Sequence, residues 1–189
     1  MNPDPSPHTR PPTSPATGGA DLALRSYRSL AAYNAWANRR LHDAAAALGE
    51  AACARPAGAF FGSLTATLNH LVVTDRIWLA RFAAQDEPQP ALDTLLAPTL
   101  AALAPLRLEQ EARLAAFTAT LDAQRLAAEI SYANSSGRVF RQSLASALDH
   151  LFNHQTHHRG QAHALLTLLG GREAAPCLDL IAFQREAAG

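Results

Sequence analysis

Apolar residues recur three and four apart along the stretch that ends at Leu169. Leu144, Ala147, Leu151, Ala162, Leu165 and Leu169 form one stripe, and Gly170-Gly171 follows as a stop. Such spacing predicts a helix over about 141–169 with one face turned to a core. By the same rules a first helix runs from about Asp21, as N-cap, to Leu48, with Gly49 closing it, and a second from about Ser63 to Phe82. A third helical region covers roughly 92–122, with a break expected at Pro98 or Pro105, because an internal proline removes a hydrogen bond and clashes with the preceding turn. Ile130, Tyr132, Val139 and Phe140 flank Asn134-Ser135-Ser136-Gly137, which predicts a small hairpin within 128–141. A short helix around Leu178–Arg185 ends the chain. The expected fold class is all-α, an antiparallel four-helix bundle with a small hairpin before the last long helix.

Residues 1–20 break this pattern. Pro3, Pro5, Pro7, Pro11, Pro12 and Pro15 precede Gly18-Gly19, with little apolar surface to offset the entropy of ordering. They are expected to form a disordered tail, leaving 21–189 as one helical domain. Hydrophobic residues make up 48% of the chain, led by Ala and Leu, which are strong helix formers. Net charge is zero, with arginine supplying every cation and no lysine present. A nucleic-acid partner is not expected, since such binders concentrate positive charge to displace counterions. Cys53 and Cys177 stand far apart in no CxxC arrangement, which fits a reducing cytoplasm and two small inert side chains. The N-terminus lacks an apolar signal segment, and no run approaches the ~20 apolar residues of a membrane span.

Five of the eight histidines lie between positions 150 and 163. With His154 set at 0° and about 100° per residue, the apolar stripe falls at roughly 20° to 80° and His158 at about 40°, inside it. His150 and His157 fall at about −40° and −60°, outside the stripe, and His163 lies opposite. Two inward imidazoles one turn apart share the spacing of HExxH zinc sites, although Gln155-Thr156-His157 between them supplies no catalytic Glu. Neighbouring buried imidazoles need partners, and spacing alone leaves open whether these are core hydrogen bonds or a metal ion. A third ligand is also open at this point. His70 is the natural supplier, mid-helix beside Ala66, Val73 and Ile77, although a lone histidine on an apolar face is more often a hydrogen-bonded core residue.

The string Asn153-His154-Gln155-Thr156-His157-His158-Arg159-Gly160-Gln161 resembles the signature of the DinB/YfiT-like family of metalloenzymes. Leu68-Asn69-His70-Leu71 with Trp78-Leu79 is similar to that family's second-helix motif, and Tyr33-Asn34-Ala35-Trp36-Ala37-Asn38 to its first. Leu178-Asp179-Leu180-Ile181 resembles its C-terminal segment, so the likeness spans about 22–186. It implies a four-helix bundle in which His70, His154 and His158 bind one divalent metal ion per chain, and a homodimer. The family's name reflects damage induction and carries no implication of polymerase activity or DNA binding. Gln161, one turn beyond His158, either orients a ligand or is a polar residue at the margin of the core. Asn34, Trp36 and Asn38 are expected to line or buttress the site, Trp36 chiefly as core packing, and Arg159 to lie at the surface or an interface.

Three neutral histidines leave an ion with open positions, the arrangement of catalytic zinc. Imidazoles suit several metals, with Zn or Ni foremost and Fe, Mn or Cu also compatible. The resemblance implies a metal-dependent enzyme acting on a small molecule, a thiol S-transferase using a low-molecular-weight thiol or a hydrolase. The alternative is a non-catalytic metal-binding or stress-response protein in which the ion is structural. No nucleophile–base pair or carboxylate pair points to metal-free catalysis.

Overall fold

The computed structural model describes residues 15–85, 89–134 and 136–188. Helix α1 (Pro15–Leu48) stops where Gly49 turns the backbone to φ 94°, a left-handed value that glycine adopts without steric cost. The short α2 (Glu50–Ala54) follows, and then α3 (Leu64–Phe82), whose first turn is capped by the Ser63 hydroxyl accepting from the Ala66 N–H. Thr99 caps α4 (Leu100–Ala119) in the same way. The Glu50 carboxylate accepts from the N–H groups of Leu100 and Ala101 at 2.9 and 3.1 Å, tying α2 to the start of α4. After α5 (Ala123–Ala127) come β1 (Glu129–Ala133) and β2 (Val139–Ser143), paired antiparallel from Glu129–Ser143 to Ala133–Val139. Helix α6 (Leu144–Gly170) and α7 (Leu180–Ala188) end the described chain, with one 3₁₀ turn between them.

Most of the described chain is helical. Helices α1 and α3 each pack against both α4 and α6. No helix among the described residues is long and apolar enough to cross a membrane. The hairpin between α5 and α6 stands where the alternation of Ile130 and Tyr132 placed it.

Three expectations about boundaries need correction. Helix α1 begins at Pro15, six residues before Asp21, so residues 15–20 are helical and not part of a tail; 1–14 lie outside the described residues. A proline at a helix start is pre-set in φ and lacks only an N–H that would be unpaired there, so Pro15 reads as a start and not as a breaker. The third long helix begins at Leu100, and the residues preceding it form turns and irregular backbone. Pro98 stands just before its cap, whereas Pro105 is accommodated inside α4, in its second turn. Helix α6 starts at Leu144 because Arg141 to Ser143 are still paired in the sheet.

Two apolar clusters fill the interior. One joins Tyr27 and Ala31 of α1 to Trp78 and Phe82 of α3, Leu114 of α4, and Leu148 and Phe152 of α6. The other joins Leu41 and Ala45 to Leu68 and Val72, Leu103, and Ala162 and Leu166. On all four helices the residues between these clusters include buried polar ones: Asn34 and Asn38, Asp75, Arg107 with Gln110 and Glu111, and Gln155 with Arg159. A buried polar layer therefore crosses the interior.

Close packing also governs the end of α6. A Cβ on Gly170 would lie 2.7 Å from the Ala174 Cβ and 2.8 Å from Leu48 Cδ1. Gly170→Ala should therefore lower stability by about 1–2 kcal/mol despite alanine's higher helix propensity. Urea denaturation checks this, and an unchanged or raised midpoint would show that Leu48 and Ala174 yield without cost.

Candidate metal centre

His70 projects from the second turn of α3, and His154 and His158 from consecutive turns of α6. His70 and His158 are buried and His154 is half-buried. One ligand atom from each of the three can be chosen so that all lie within 4.8 Å of one another. The Nε2 atoms of His70 and His154 are 3.4 Å apart. Imidazole nitrogens about 2.0–2.1 Å from a tetrahedral zinc ion sit roughly 3.4 Å from each other, so this pair already has the separation such an ion requires. Among the described residues this is the group of three whose geometry can hold a metal ion.

Hydrogen bonds set which nitrogen is free. The Leu92 carbonyl, which can only accept, is 2.7 Å from His70 Nδ1, so Nδ1 carries the proton and Nε2 presents its lone pair. On α6, Gln161 Oε1 lies 2.8 Å from His158 Nδ1, while Gln161 Nε2 lies 3.2 Å from His157 Nε2. The amide accepts from His158 and donates to His157, leaving His158 Nε2 free. Gln161 thus holds the ring of His158, a member of the triad. The other ring nitrogen of His154, Nδ1, is buried without a hydrogen-bond partner among the described residues.

Burial also keeps the rings uncharged. Desolvation, and then the neighbouring histidines, pulls the His154 pKa down to about 3. Burial likewise lowers the pKa values of His70 and His158. Neutral imidazole is the ligating form, so protons compete weakly for these nitrogens near neutral pH.

His150, His157 and His163 are not part of the converging group, although the His150 ring lies 5.7 Å from that of His154 and the His157 ring 4.7 Å from that of His158, centroid to centroid. His157 is exposed and bonded to Gln161, and His163 lines a separate surface cleft with Cys177. His150 leans on Trp78 with ring centroids 5.0 Å apart. Cys53 is buried, its thiol donating to the Ala45 carbonyl, and Cys177 is exposed; both are free.

Other residues take roles that periodicity did not show. Arg159 is not at the surface: it is buried and donates to the side-chain Oδ1 of Asn34 and to Thr156 Oγ1, with its guanidinium 5.1 Å from the Tyr33 ring centroid. Beside it, Gln155 Nε2 donates to the Leu71 carbonyl at 3.1 Å and to Asp75, which also accepts from Arg107. Asn34 therefore buttresses α6 through Arg159. Trp36 is only half-buried, and it donates to Glu186 at 2.7 Å and packs against Phe183, holding α7 on α1. Next to His70, Asn69 exchanges two hydrogen bonds with Ala97, at 2.9 and 3.0 Å, and so fixes the segment that supplies Leu92. Phe61 stacks on His70 at 4.0 Å between centroids and lies 5.5 Å from His158.

The family model described as the DinB family matches residues 22–186. The chain belongs to the DinB family. That match runs from α1 into α7 and takes in all three histidines together with Asn34, Asn69 and Gln161. No curated protein and no solved structure matches the chain.

Proposed function

We propose that this DinB family protein is an antiparallel four-helix bundle that binds one divalent metal ion per chain through His70, His154 and His158. We infer further that it is a metal-dependent enzyme acting on a small molecule, by thiol S-transfer or by hydrolysis. The observation that carries the reading is the 3.4 Å separation of the His70 and His154 Nε2 atoms, with Nδ1 of His70 turned away onto a carbonyl. Imidazole suits zinc, nickel, copper and iron alike; zinc or nickel is the proposed occupant, with iron, manganese or copper as alternatives.

When bound, such an ion supplies a Lewis acid that favours the deprotonated form of a water or thiol and polarises a carbonyl. The protein's own contribution is orientation and exclusion of water. Leu92 O and Gln161 Oε1 hold His70 and His158 in the tautomer that offers Nε2, and partners of this kind raise ligand basicity as well. Phe61 covers the His70 ring and limits water on that side.

A homodimer in the cytoplasm completes the proposal; the resemblance of the motifs supports the dimer, and the two free cysteines fit a reducing compartment. The test is metal analysis of protein purified without nickel affinity, followed by screening of small thiols against electrophilic substrates. About one equivalent of metal with turnover is expected. One equivalent with a fully closed coordination shell and no turnover would favour a structural ion, and no metal would overturn the reading.

A further inference from the structure

The turn that carries Phe61 also carries Phe60, which is 86% exposed. It is the most exposed of the large apolar side chains among the described residues, so a partner that covers it removes much apolar surface from water. Looseness does not account for it. The Ala57 N–H donates to the Gly62 carbonyl at 2.9 Å and the Gly62 N–H to the Ala59 carbonyl at 2.8 Å, closing the turn. Gly58 and Gly62 adopt φ 66° and 86°, values that glycine takes readily, and Ser63 caps α3 directly afterwards. The Phe60 ring is then held edge-on to Phe61, with centroids 4.9 Å apart and planes at 80°. Since Phe61 stacks on His70, Phe60 is two ring contacts from a proposed ligand of the ion. Leu92, whose carbonyl holds His70, also shows its side chain to solvent.

Resting on the metal-site reading above, we propose that Phe60 is a specificity-determining residue. It forms an aromatic ledge for the apolar, preferably aromatic, body of a small molecule whose donor atom sits at the histidine triad. Ring-on-ring contact together with the extra apolar burial of a phenyl group favours an aryl over a methyl substituent by about tenfold. Phe61 fixes the height of the ledge, and its stacking on His70 links ledge to ligand.

The test uses the full chain loaded with cobalt(II), its visible spectrum followed during titration with acetohydroxamate or benzohydroxamate. The two probes share one metal-binding group and differ only in methyl against phenyl. The natural sequence should bind benzohydroxamate about tenfold more tightly. Phe60→Ala should lose that preference while keeping its cobalt stoichiometry and its acetohydroxamate affinity, and Phe60→Trp should retain it. Because Phe60 is exposed, the substitution leaves the core intact. Cobalt binding with no aryl preference, with no response to either probe, or with a preference that survives in Phe60→Ala overturns the ledge alone. A change of oligomeric state in Phe60→Ala with unchanged selectivity also overturns it, by assigning the ring to contact with a second copy of the chain. Failure to bind cobalt at all overturns the metal reading and the ledge with it.

Discussion

Asp75→Ala should cost the fold about 3–5 kcal/mol, because it strips a buried arginine of an anionic partner. Asp75 is fully buried and accepts from both Arg107 and Gln155. Arg107 is itself buried, and its other ion pair, to Glu111, is 3.2 Å long. Burial pushes the Glu111 carboxyl above its usual range, so Glu111 replaces Asp75 poorly. In a chain of this size the loss lowers the melting temperature by roughly 6–20 °C. A double-mutant cycle sharpens the test: Asp75→Ala combined with Arg107→Met should lose less than the sum of the single changes, because no unpaired guanidinium remains. A single-variant loss under about 1 kcal/mol would show that the layer is not electrostatically closed.

Replacing any one of His70, His154 and His158 by alanine should take metal content from about one equivalent to near zero. The loss of even an outer-shell partner costs about 10–100-fold in affinity, so the loss of one of three direct ligands should cost more. His157→Ala and His163→Ala should keep a full equivalent: His157 touches the His158 ring edge-on, but neither His157 nor His163 belongs to the three histidines whose ring nitrogens converge. Helix content should be retained in all five variants, because the two apolar clusters do not depend on the ion. Elemental analysis after dialysis and far-UV circular dichroism check both halves of the expectation. If His157→Ala empties the site while His158→Ala keeps its metal, the facing of α6 described above is wrong.

Much of this arrangement is legible in the chain, and the exceptions share causes. The α6 triad members are found from periodicity because His154 and His158 fall within or beside an unbroken apolar stripe. The same method misplaces Arg159 because it treats every charge as solvent-seeking. The buried face of α6 extends past that stripe through Leu148, Phe152, Gln155, Arg159 and Leu166. What permits this is pairing with Asn34, Asp75 and Leu71 on other helices, which no local pattern records. His158 consequently sits nearer one margin of the buried face than the narrower stripe implied. The Leu92 contact is invisible for another reason: it is made by a backbone carbonyl, identical in every residue. Phe61 lies in a turn with no periodic context, and only the fold reveals its place over His70. The early start of α1 is missed because proline signals disorder in a run and initiation at a helix end.

The polar layer has a consequence for how far the helices can slide. Leucine and alanine on facing helices are nearly interchangeable from one turn to the next, so apolar packing alone tolerates a slip of about 5.4 Å along the axis. Hydrogen-bonded pairs do not repeat along the axis. Gln155 meets Asp75 and Arg159 meets Asn34 in a single register. Gln155 and Arg159 each directly follow a triad histidine, and Asp75 is five residues beyond the third. The layer acts as an alignment key, setting the height at which α6 presents its imidazoles to His70 although none of its side chains is a ligand. Surface and loop residues of this chain can therefore change without moving the three histidines relative to one another, because a few buried polar contacts set their heights.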